Sequence, residues 1–408
     1  MGDLGGEAAL FEAGQIGDLE IRNRFVRAGT SESMGDPDGE VTPQLLDLYA
    51  RLGRNDVGLL MTGHLFCEPR GRYAPAQVGI HDDAMVPGLA ELAGAVKATG
   101  ARIFAQVAHA GSQSRAFGIE PLAPSPVPNA LTGRMVEEAT PAQIEAAIGA
   151  FAAGARRAVE AGFDGVHIHG ANGYLISEFC SPLTNRREDE WGGDAERRGR
   201  FLLEIVKAIR AAVPKGFPVT LKLGIADAEP GLTAEETLTR CPDLVAAGVD
   251  AIEVSVNVMG APSDSAKTYV AVGPRRAAED LLVHRLLAQP GPEAYFDDWA
   301  RRLREVVDTK IILVGGLRTT QTMEGVIASG DADFIAMARP FIREPDLVSQ
   351  IAAGRTGRVD CTSCNLCLRH EGHHSLRCWR TPRKRLFEHA IYRFTGGLGR
   401  NLLSTNRH

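Results

Sequence analysis

Short runs of branched and aromatic apolar residues alternate along the chain with longer segments rich in Ala and Leu. Continuous apolar runs of this length are typical of parallel strands buried on both faces, and the longer segments are typical of helices. The predicted strands are 24–28, 57–62, 102–106, 163–168, 219–223, 251–256, 311–314 and 334–336. The predicted helices are 43–54, 87–99, 141–161, 195–212, 234–247, 297–307, 319–328 and 345–353.

Strand and helix units of this spacing predict an α/β fold with a closed (β/α)8 TIM barrel rather than an open sheet. We assign residues 1–356 to the barrel, 357–380 to a Cys-rich segment and 381–408 to a basic tail. No stretch of 18 uncharged apolar residues occurs, so no membrane span is predicted.

The charge balance is mildly acidic, with 45 Lys and Arg against 51 Asp and Glu and a net charge of −6. An acidic chain has no general attraction to nucleic acid or to anionic membrane surfaces, so neither is an expected partner. The amino terminus has no basic region followed by an apolar core, which argues against a signal peptide. We therefore expect a cytoplasmic protein.

Chemistry concentrates in the stretch 163–193, which reads FDGVHIHGANGYLISEFCSPLTNRREDEWGG. A predicted strand opens it, and His169, Asn172 and Tyr174 follow directly. The carboxyl ends of barrel strands are where active sites lie. His169 and Asn172 are three residues apart, so a single helical turn would point both the same way. Two such donors suit a carbonyl oxygen that gains negative charge, and Tyr174 adds a proton donor.

The pattern HxxNGYLxxEFxSPxxNxRxDxWGG in this stretch resembles the signature of the old yellow enzyme family of FMN-dependent NADH:flavin oxidoreductases. The resemblance extends over roughly residues 9–354. It implies that NAD(P)H reduces FMN and leaves, after which an α,β-unsaturated carbonyl compound is reduced at its C=C bond with ping-pong kinetics. It further implies that His169 and Asn172 bind the carbonyl oxygen and that Tyr174 protonates the substrate. We also expect a homo-oligomer.

The same resemblance implies a set of residues around the flavin ring. Thr30 and Ser31 fall where the family places a small polar or thiol side chain near the ring. Gln106 ends the third predicted strand, and its amide both donates and accepts, as the pyrimidine edge requires. Lys222 would stabilise the anionic reduced ring. An unpaired Lys inside a barrel is costly, which favours a functional role for it.

The segments ILVGGLRT and FIAMARPFIREP resemble the phosphate site of the family, which the loops after the seventh and eighth strands form. Gly315 and Gly316 would let backbone N–H groups approach the phosphate, and Arg339 would add a charged contact. Ala338 stands where the family usually has Gly, which adds a methyl group at this site.

Four cysteines, Cys361, Cys364, Cys367 and Cys378, have the spacing C-x2-C-x2-C-x10-C. Without a secretory signal, such crowding indicates metal binding or free thiols rather than disulfides. Larger members of the family, of the dienoyl-CoA reductase and amine dehydrogenase type, bind a 4Fe-4S cluster at a similar motif with one more residue between the second and third Cys. A 4Fe-4S cluster, zinc and reduced thiols without metal all remain open.

Two other functions compete with the interpretation of the chain as an ene-reductase. One is an iron–sulfur flavoenzyme of the type just described. The other is a flavin-barrel protein that modifies or binds RNA, and only the basic tail supports this function. Residues 380–408 carry seven Lys and Arg against the single acidic Glu388. The tail is short and the rest of the chain is acidic, so a solvated extension, or an arm that docks on the acidic barrel of a partner subunit, is the favoured interpretation.

Overall fold

Eight parallel strands close into a barrel in the order in which they occur along the chain. The computed structural model describes residues 9–128, 133, 135–257, 292–361, 363, 367 and 375–378. The barrel strands are β1 (Phe25–Arg27), β2 (Leu59–Met61), β3 (Arg102–Ala108), β4 (Gly165–Gly170), β5 (Val219–Gly224), β6 (Ala251–Ser255), β7 (Lys310–Val314) and β8 (Phe334–Met337). Pairing of β8 with β1 and of β2 with β3 closes the ring, which confirms the predicted fold.

Helices follow the strands, and several begin at the residues that the sequence indicates. They are α1 (Pro43–Arg54), α2 (Val86–Lys97), α3 (Pro141–Glu160), α4 (Leu175–Cys180), α5 (Ala195–Ala212), α6 (Ala234–Ala246), α7 (Asp297–Arg304), α8 (Thr320–Ser329), α9 (Arg339–Arg343) and α10 (Leu347–Ala352). Thr140 and Thr233 form complete capping boxes with the Gln or Glu three residues later. Each box satisfies two backbone N–H groups that the helix start would otherwise leave without partners.

The short strands and helices were not predicted from the sequence. A hairpin of Gly14–Ile16 and Leu19–Ile21 precedes the barrel, and its Ile16 and Ile21 side chains join the apolar cluster inside the barrel. A second hairpin joins Val127–Pro128 to Met135–Val136, and α4 and α9 are each about one helical turn. Segments of two to six residues are too short to show a hydrophobic period.

Alternation along the strands separates the barrel interior from the layer beneath the helices. Val26, Phe104 and Ile312 belong to the interior cluster, whereas Ile103 and Ile311, one residue earlier, pack in the larger core. Polar side chains take over the interior toward the carboxyl ends of β3, β4, β5 and β6. None of the helices in the described ranges is long and apolar enough to cross a bilayer.

Candidate active site

His169 lies inside β4 rather than beyond its end, because the strand covers Gly165–Gly170 instead of the predicted 163–168. The expected helical turn across His169 and Asn172 is also wrong. Asn172 has a positive φ of 62° in the turn after the strand, and α4 begins only at Leu175. The backbone N–H of Asn172 donates to the carbonyl of Val256, which ties this turn to the end of β6.

Tyr174 and His169 nevertheless meet at the mouth of the barrel. Their rings stack with centroids 4.7 Å apart and an interplanar angle of 22°. Both side chains are buried, at 6% exposure each. The Asn172 side chain turns toward β6, where its amide nitrogen lies 3.5 Å from the hydroxyl of Ser255. The structure therefore brings two of the three predicted catalytic side chains into contact, and their catalytic roles stay predictions.

His169 is held as a neutral imidazole. Burial lowers its pKa well below the usual value, and the proximity of the titratable His64 and of Lys222 lowers it further. Its Nδ1 atom is buried without a hydrogen-bond partner in the described part of the chain. A buried nitrogen of this kind is costly unless a ligand bonds to it. His169 is therefore suited to hydrogen-bond with a bound molecule.

Gln106 presents a second buried polar atom without a partner. Its Nε2 atom forms no hydrogen bond among the described residues, and its side chain is 1% exposed. A Cβ atom at Gly29 would lie 2.4 Å from that nitrogen, so a larger residue there would require the amide to move. The interior thus holds an amide whose hydrogen-bonding capacity is left for a ligand, as the predicted contact with the flavin pyrimidine requires.

Lys222 is paired, which corrects the expectation of an isolated lysine. Its Nζ atom forms an ion pair with Glu253 on the neighbouring strand, and Glu253 is completely buried. His167 lies on the other side, with Nε2 3.3 Å from the second carboxylate oxygen of Glu253. Burial alone would raise the pKa of Glu253, but Lys222 and His167 lower it below the usual value. Lys222 thus has a structural partner beside its predicted flavin role.

Thr30 and Ser31 lie in the loop after β1. The Thr30 hydroxyl donates to the carbonyl of Ala28 at 3.1 Å, as a turn-capping residue would. Ser31 is buried and lines a small cavity together with Glu32, His64 and other residues. Their predicted contacts with the flavin stay predictions.

The predicted phosphate site has a backbone that demands glycine. Gly315 and Gly316 both have positive φ, 105° and 75°. Added Cβ atoms there would lie 2.5 and 2.7 Å from the ring of Tyr295. Ala338 and Arg339 follow β8 and start α9.

Arg318 was not predicted and adds positive charge at the same end of the barrel. Burial lowers its pKa, and the nearby charge of Arg339 lowers it further. Two guanidinium groups close enough to affect one another favour an anion between or beside them. The motif GGLRT, which contains Arg318, was the signal that could have identified it.

The cysteine cluster is only partly described, since Cys364 lies outside the described residues. Cys361, Cys367 and Cys378 are half-buried, and none of them forms a disulfide with another cysteine in the described part of the chain. Among the residues that the structure does describe, no three His, Cys, Asp or Glu side chains are grouped closely enough to hold a metal ion. Metal binding by these cysteines stays a prediction, as does the domain boundary at 356. The basic tail at 381–408 also lies outside the described residues.

The second half of the long signature has a structural role. The amide of Asn185 donates to the carbonyls of Phe179 and Trp191, each at 2.8 Å. The buried guanidinium of Arg187 donates to the carbonyls of Pro124 and Ala139. These bonds fix the loop between α4 and α5 against the loop after β3. His169 and Tyr174, which belong to the first half of the motif, lie together at the barrel mouth.

Sequence reasoning missed His64, Gln77, His167 and Glu253. His64 lies just after the carboxyl end of β2, so the rule that active-site residues lie at strand ends could have identified it. His167 precedes His169 by two residues and therefore lies on the same face of β4. Glu253 is the only charged residue in the strand AIEVS, and Lys222 is the only charged residue in the preceding strand VTLKLG. One opposite charge in each of two consecutive strands was the signal that could have indicated an ion pair.

These residues fit FMN. The Gln106 amide, whose nitrogen has no partner among the described residues, would contact the pyrimidine of the flavin. Lys222 would contact its N1 and O2 edge. The backbone of Gly315 and Gly316, together with Arg318 and Arg339, would bind the phosphate. The orphaned His169 nitrogen remains for a second ligand. A buried polar set that is complete only with a ligand is typical of a cofactor site.

The chain belongs to the NADH:flavin oxidoreductase / NADH oxidase family, whose model matches residues 9–357. The predicted family resemblance is thereby confirmed.

Individual relatives differ in how much of their length this chain covers. NADH oxidase of Thermoanaerobacter brockii is 36% identical over 363 residues, which cover 88% of this chain and 53% of that protein. NADPH dehydrogenase of Geobacillus sp. (strain WCH70) is 36% identical over 342 residues, covering 83% of this chain and 92% of that protein. A solved 2-naphthoyl-CoA reductase in complex with 2-naphthoyl-CoA has a TM-score of 0.81 and 25% identity, covering 94% and 58% of the two chains. The chain thus spans about half the length of the NADH oxidase.

Proposed function

We propose that this protein is an FMN-dependent NAD(P)H oxidoreductase that reduces the C=C bond of α,β-unsaturated carbonyl compounds. The observation that carries the proposal is the stacked pair of His169 and Tyr174 at the carboxyl end of β4. This pair shares the barrel mouth with Gln106 and with the Lys222–Glu253 ion pair. Membership of the family supports FMN and a nicotinamide as the redox partners.

In this proposal each side chain has one task. His169 is neutral because burial depresses its pKa, so it donates a hydrogen bond to the carbonyl oxygen without competing for the proton. Asn172 assists from the turn after β4. Negative charge develops on the carbonyl oxygen as hydride adds to the β carbon, and Tyr174 gives its hydroxyl proton to the α carbon of the resulting enolate. FMN bound at the mouth would supply the hydride that reaches the β carbon, after NAD(P)H has reduced it.

The first test replaces Tyr174 by Phe in the FMN-loaded protein. General acid catalysis by a placed side chain contributes roughly 10²–10⁴-fold. Turnover of a cyclic enone should therefore fall by about that factor, whereas reduction of the flavin by NADH or NADPH under anaerobic conditions should keep its rate. Stopped-flow absorbance separates the two half-reactions. Enone turnover that is unchanged by Tyr174→Phe would exclude Tyr174 as the proton donor and contradict the proposed function.

A second candidate is an iron–sulfur flavoenzyme. It is favoured by the four-cysteine segment and by relatives of which the match covers about half the length. Elemental analysis of protein purified without oxygen decides between the possibilities. Iron with acid-labile sulfide supports the cluster, zinc supports a structural metal site, and protein without metal indicates thiols alone. The prediction of a homo-oligomer is checked by light scattering.

A further inference from the structure

His64 contacts Tyr174, the predicted proton donor, although His64 lies far outside the family signature in sequence. It follows β2, and its side chain is buried at the barrel mouth. Its Nε2 atom lies 3.1 Å from the hydroxyl oxygen of Tyr174, and the ring centroids are 5.3 Å apart in an edge-to-face arrangement. His64 is therefore placed to act on the Tyr174 hydroxyl.

The other side of His64 is held by Gln77, and two backbone groups fix the orientation of the Gln77 amide. Its oxygen accepts a hydrogen bond from the backbone N–H of Tyr73 at 2.6 Å. Its nitrogen donates to the backbone carbonyl of His64 at 2.8 Å. If the amide were reversed, its oxygen would face the carbonyl oxygen of His64 and its NH2 group would face the N–H of Tyr73. Only the orientation described above therefore satisfies both backbone groups.

This orientation determines the tautomer of His64. The Gln77 Nε2 atom lies 2.6 Å from Nδ1 of His64 and can only donate to it. Nδ1 must therefore be an acceptor, and the single proton of the neutral imidazole lies on Nε2. That proton points at the oxygen of Tyr174. The hydrogen bond consequently runs from His64 to Tyr174, and the hydroxyl proton of Tyr174 is not used in this contact.

Protonation of His64 is opposed by the same arrangement, since an added proton on Nδ1 would meet the donor amide of Gln77. Burial lowers the pKa of His64 to about 4, although the charge of Glu32 opposes this shift. The other titratable groups around the ring are Tyr73, His169 and Tyr174. At neutral pH, His64 thus remains a hydrogen-bond donor to Tyr174, and it has no second proton to pass on.

We propose that His64, oriented by Gln77, is a positioning residue that stabilises the tyrosinate form of Tyr174. The inference rests on the proposed function, in which the Tyr174 O–H bond breaks and a C–H bond forms at the substrate α carbon. The negative charge of the enolate passes to the phenolate oxygen, which accepts the Nε2–H hydrogen bond of His64. Solvent restores the proton of Tyr174 before the next turnover. A hydrogen bond to a charged oxygen is stronger than one to a neutral hydroxyl, so His64 favours proton release.

The first experiment measures the pKa of Tyr174 directly. Protein labelled with ¹³C at tyrosine Cζ gives six signals at most, and Tyr174→Phe identifies the one that belongs to Tyr174. Replacing His64 by Phe should raise the pKa of Tyr174 by about one to two units, because the hydrogen bond to the charged oxygen is lost. His64→Gln should restore part of the shift, since its amide N–H reaches approximately the position of Nε2. An unchanged pKa in His64→Phe overturns the inference.

The second experiment uses kinetics and a second variant. In His64→Phe the enone half-reaction should slow by about tenfold or more, whereas flavin reduction by NAD(P)H keeps its rate. Gln77→Leu should act in the same direction with a smaller effect, because the tautomer is no longer fixed. Gln77→Leu also tests the inference if the His64→Phe variant does not fold.

A double variant separates this inference from the proposed function. If His64 acts through Tyr174, adding His64→Phe to Tyr174→Phe should slow the enone half-reaction no further. An additive effect of the two substitutions overturns the positioning role. If Tyr174→Phe alone leaves enone turnover unchanged, the proposed function fails instead. The NMR titration still reports whether His64 donates to Tyr174 in that case.

Discussion

The two sides of the barrel interior are built from different chemistry. On the side of β7, β8, β1 and β2 the inward positions are apolar, and they include Ile312, Phe334, Ala336, Val26 and Leu59. On the side of β3, β4, β5 and β6 the barrel carries a group of buried polar side chains, which are Gln106, His167, His169, Lys222 and Glu253. The same closed sheet therefore provides a packed wall on one side and a buried polar wall on the other.

Strand register explains how the polar wall forms. His169 pairs with Lys222, and Lys222 pairs with Glu253, so the three side chains lie at one level on adjacent strands. Gln106 pairs with His167 at the level below. Paired residues of parallel strands face the same side of the sheet, so single polar residues in separate strands converge without any local motif. On the apolar wall the paired residues Ile312 and Phe334 are both apolar and pack in the interior cluster.

The largest effect is expected from removing one charge of the polar wall. Lys222→Met leaves Glu253 completely buried and without its cation. Breaking a buried ion pair from one side costs about 3–5 kcal/mol of the free energy of unfolding. Urea denaturation of the FMN-free protein measures this loss.

A matched control lies on β7. Lys310 bonds to Asp333 at 3.2 Å, but its side chain is 44% exposed. Lys310→Met should therefore cost less than about 1 kcal/mol. Equal losses for the two lysine variants would mean that burial does not distinguish the two pairs, and the comparison of the two walls would lose its energetic basis.

The fold was predictable because strong local signals agree with the barrel. The bounds of α1 and α5 were predicted as observed, since Thr42 and Asp194 cap them and the amphipathic pattern is continuous. The hairpin of Gly14–Ile16 and Leu19–Ile21 was not predictable, because three residues cannot show a period.

The site was predictable in part. His169 and Tyr174 could be named from a local motif and do contact each other. The pairing of Lys222 with Glu253 depends on register between strands about thirty residues apart in sequence, which a single chain pattern does not determine. The contact of His64 with Tyr174 spans 110 positions, and it depends on the pairing of β2 with β3 and of β3 with β4. Sequence pattern therefore identifies residues, whereas strand pairing determines their partners.

A double variant tests whether the polar wall is an electrostatic unit. Lys222→Met/Glu253→Gln removes both charges, so it should recover most of the stability that Lys222→Met loses. It should also change the response to acid. Lys222 and His167 hold the pKa of Glu253 below its usual value of 4.5, so the unfolded state binds a proton more readily than the folded state. The contribution of Glu253 is present above pH 4.5 and is lost as the pH falls further, at about 1.4 kcal/mol per unit of pKa difference.

Unfolding free energies between pH 3 and 6 give the measurement for the double variant. Wild-type stability should fall more steeply toward acid than that of the double variant. Parallel curves would show that the pKa of Glu253 is the same in the folded and unfolded states, and a wild-type curve that rises toward acid relative to the double variant would show that Glu253 is protonated in the folded protein. Either result contradicts an ion pair between Lys222 and an ionised Glu253.

The smallest effect is expected from the apolar wall. Ile312 is completely buried inside the barrel, and Ile312→Val removes one methylene group. The loss should be about 0.5–1.5 kcal/mol and independent of pH, because no ionisable group changes its surroundings. Ile311→Val is the matched control, since Ile311 is equally buried but faces the helices. Both should give the same pH-independent loss. A loss at Ile312 that varies between pH 3 and 6 would instead couple the apolar wall to the charges opposite it, and the two walls could then not be treated as separate units.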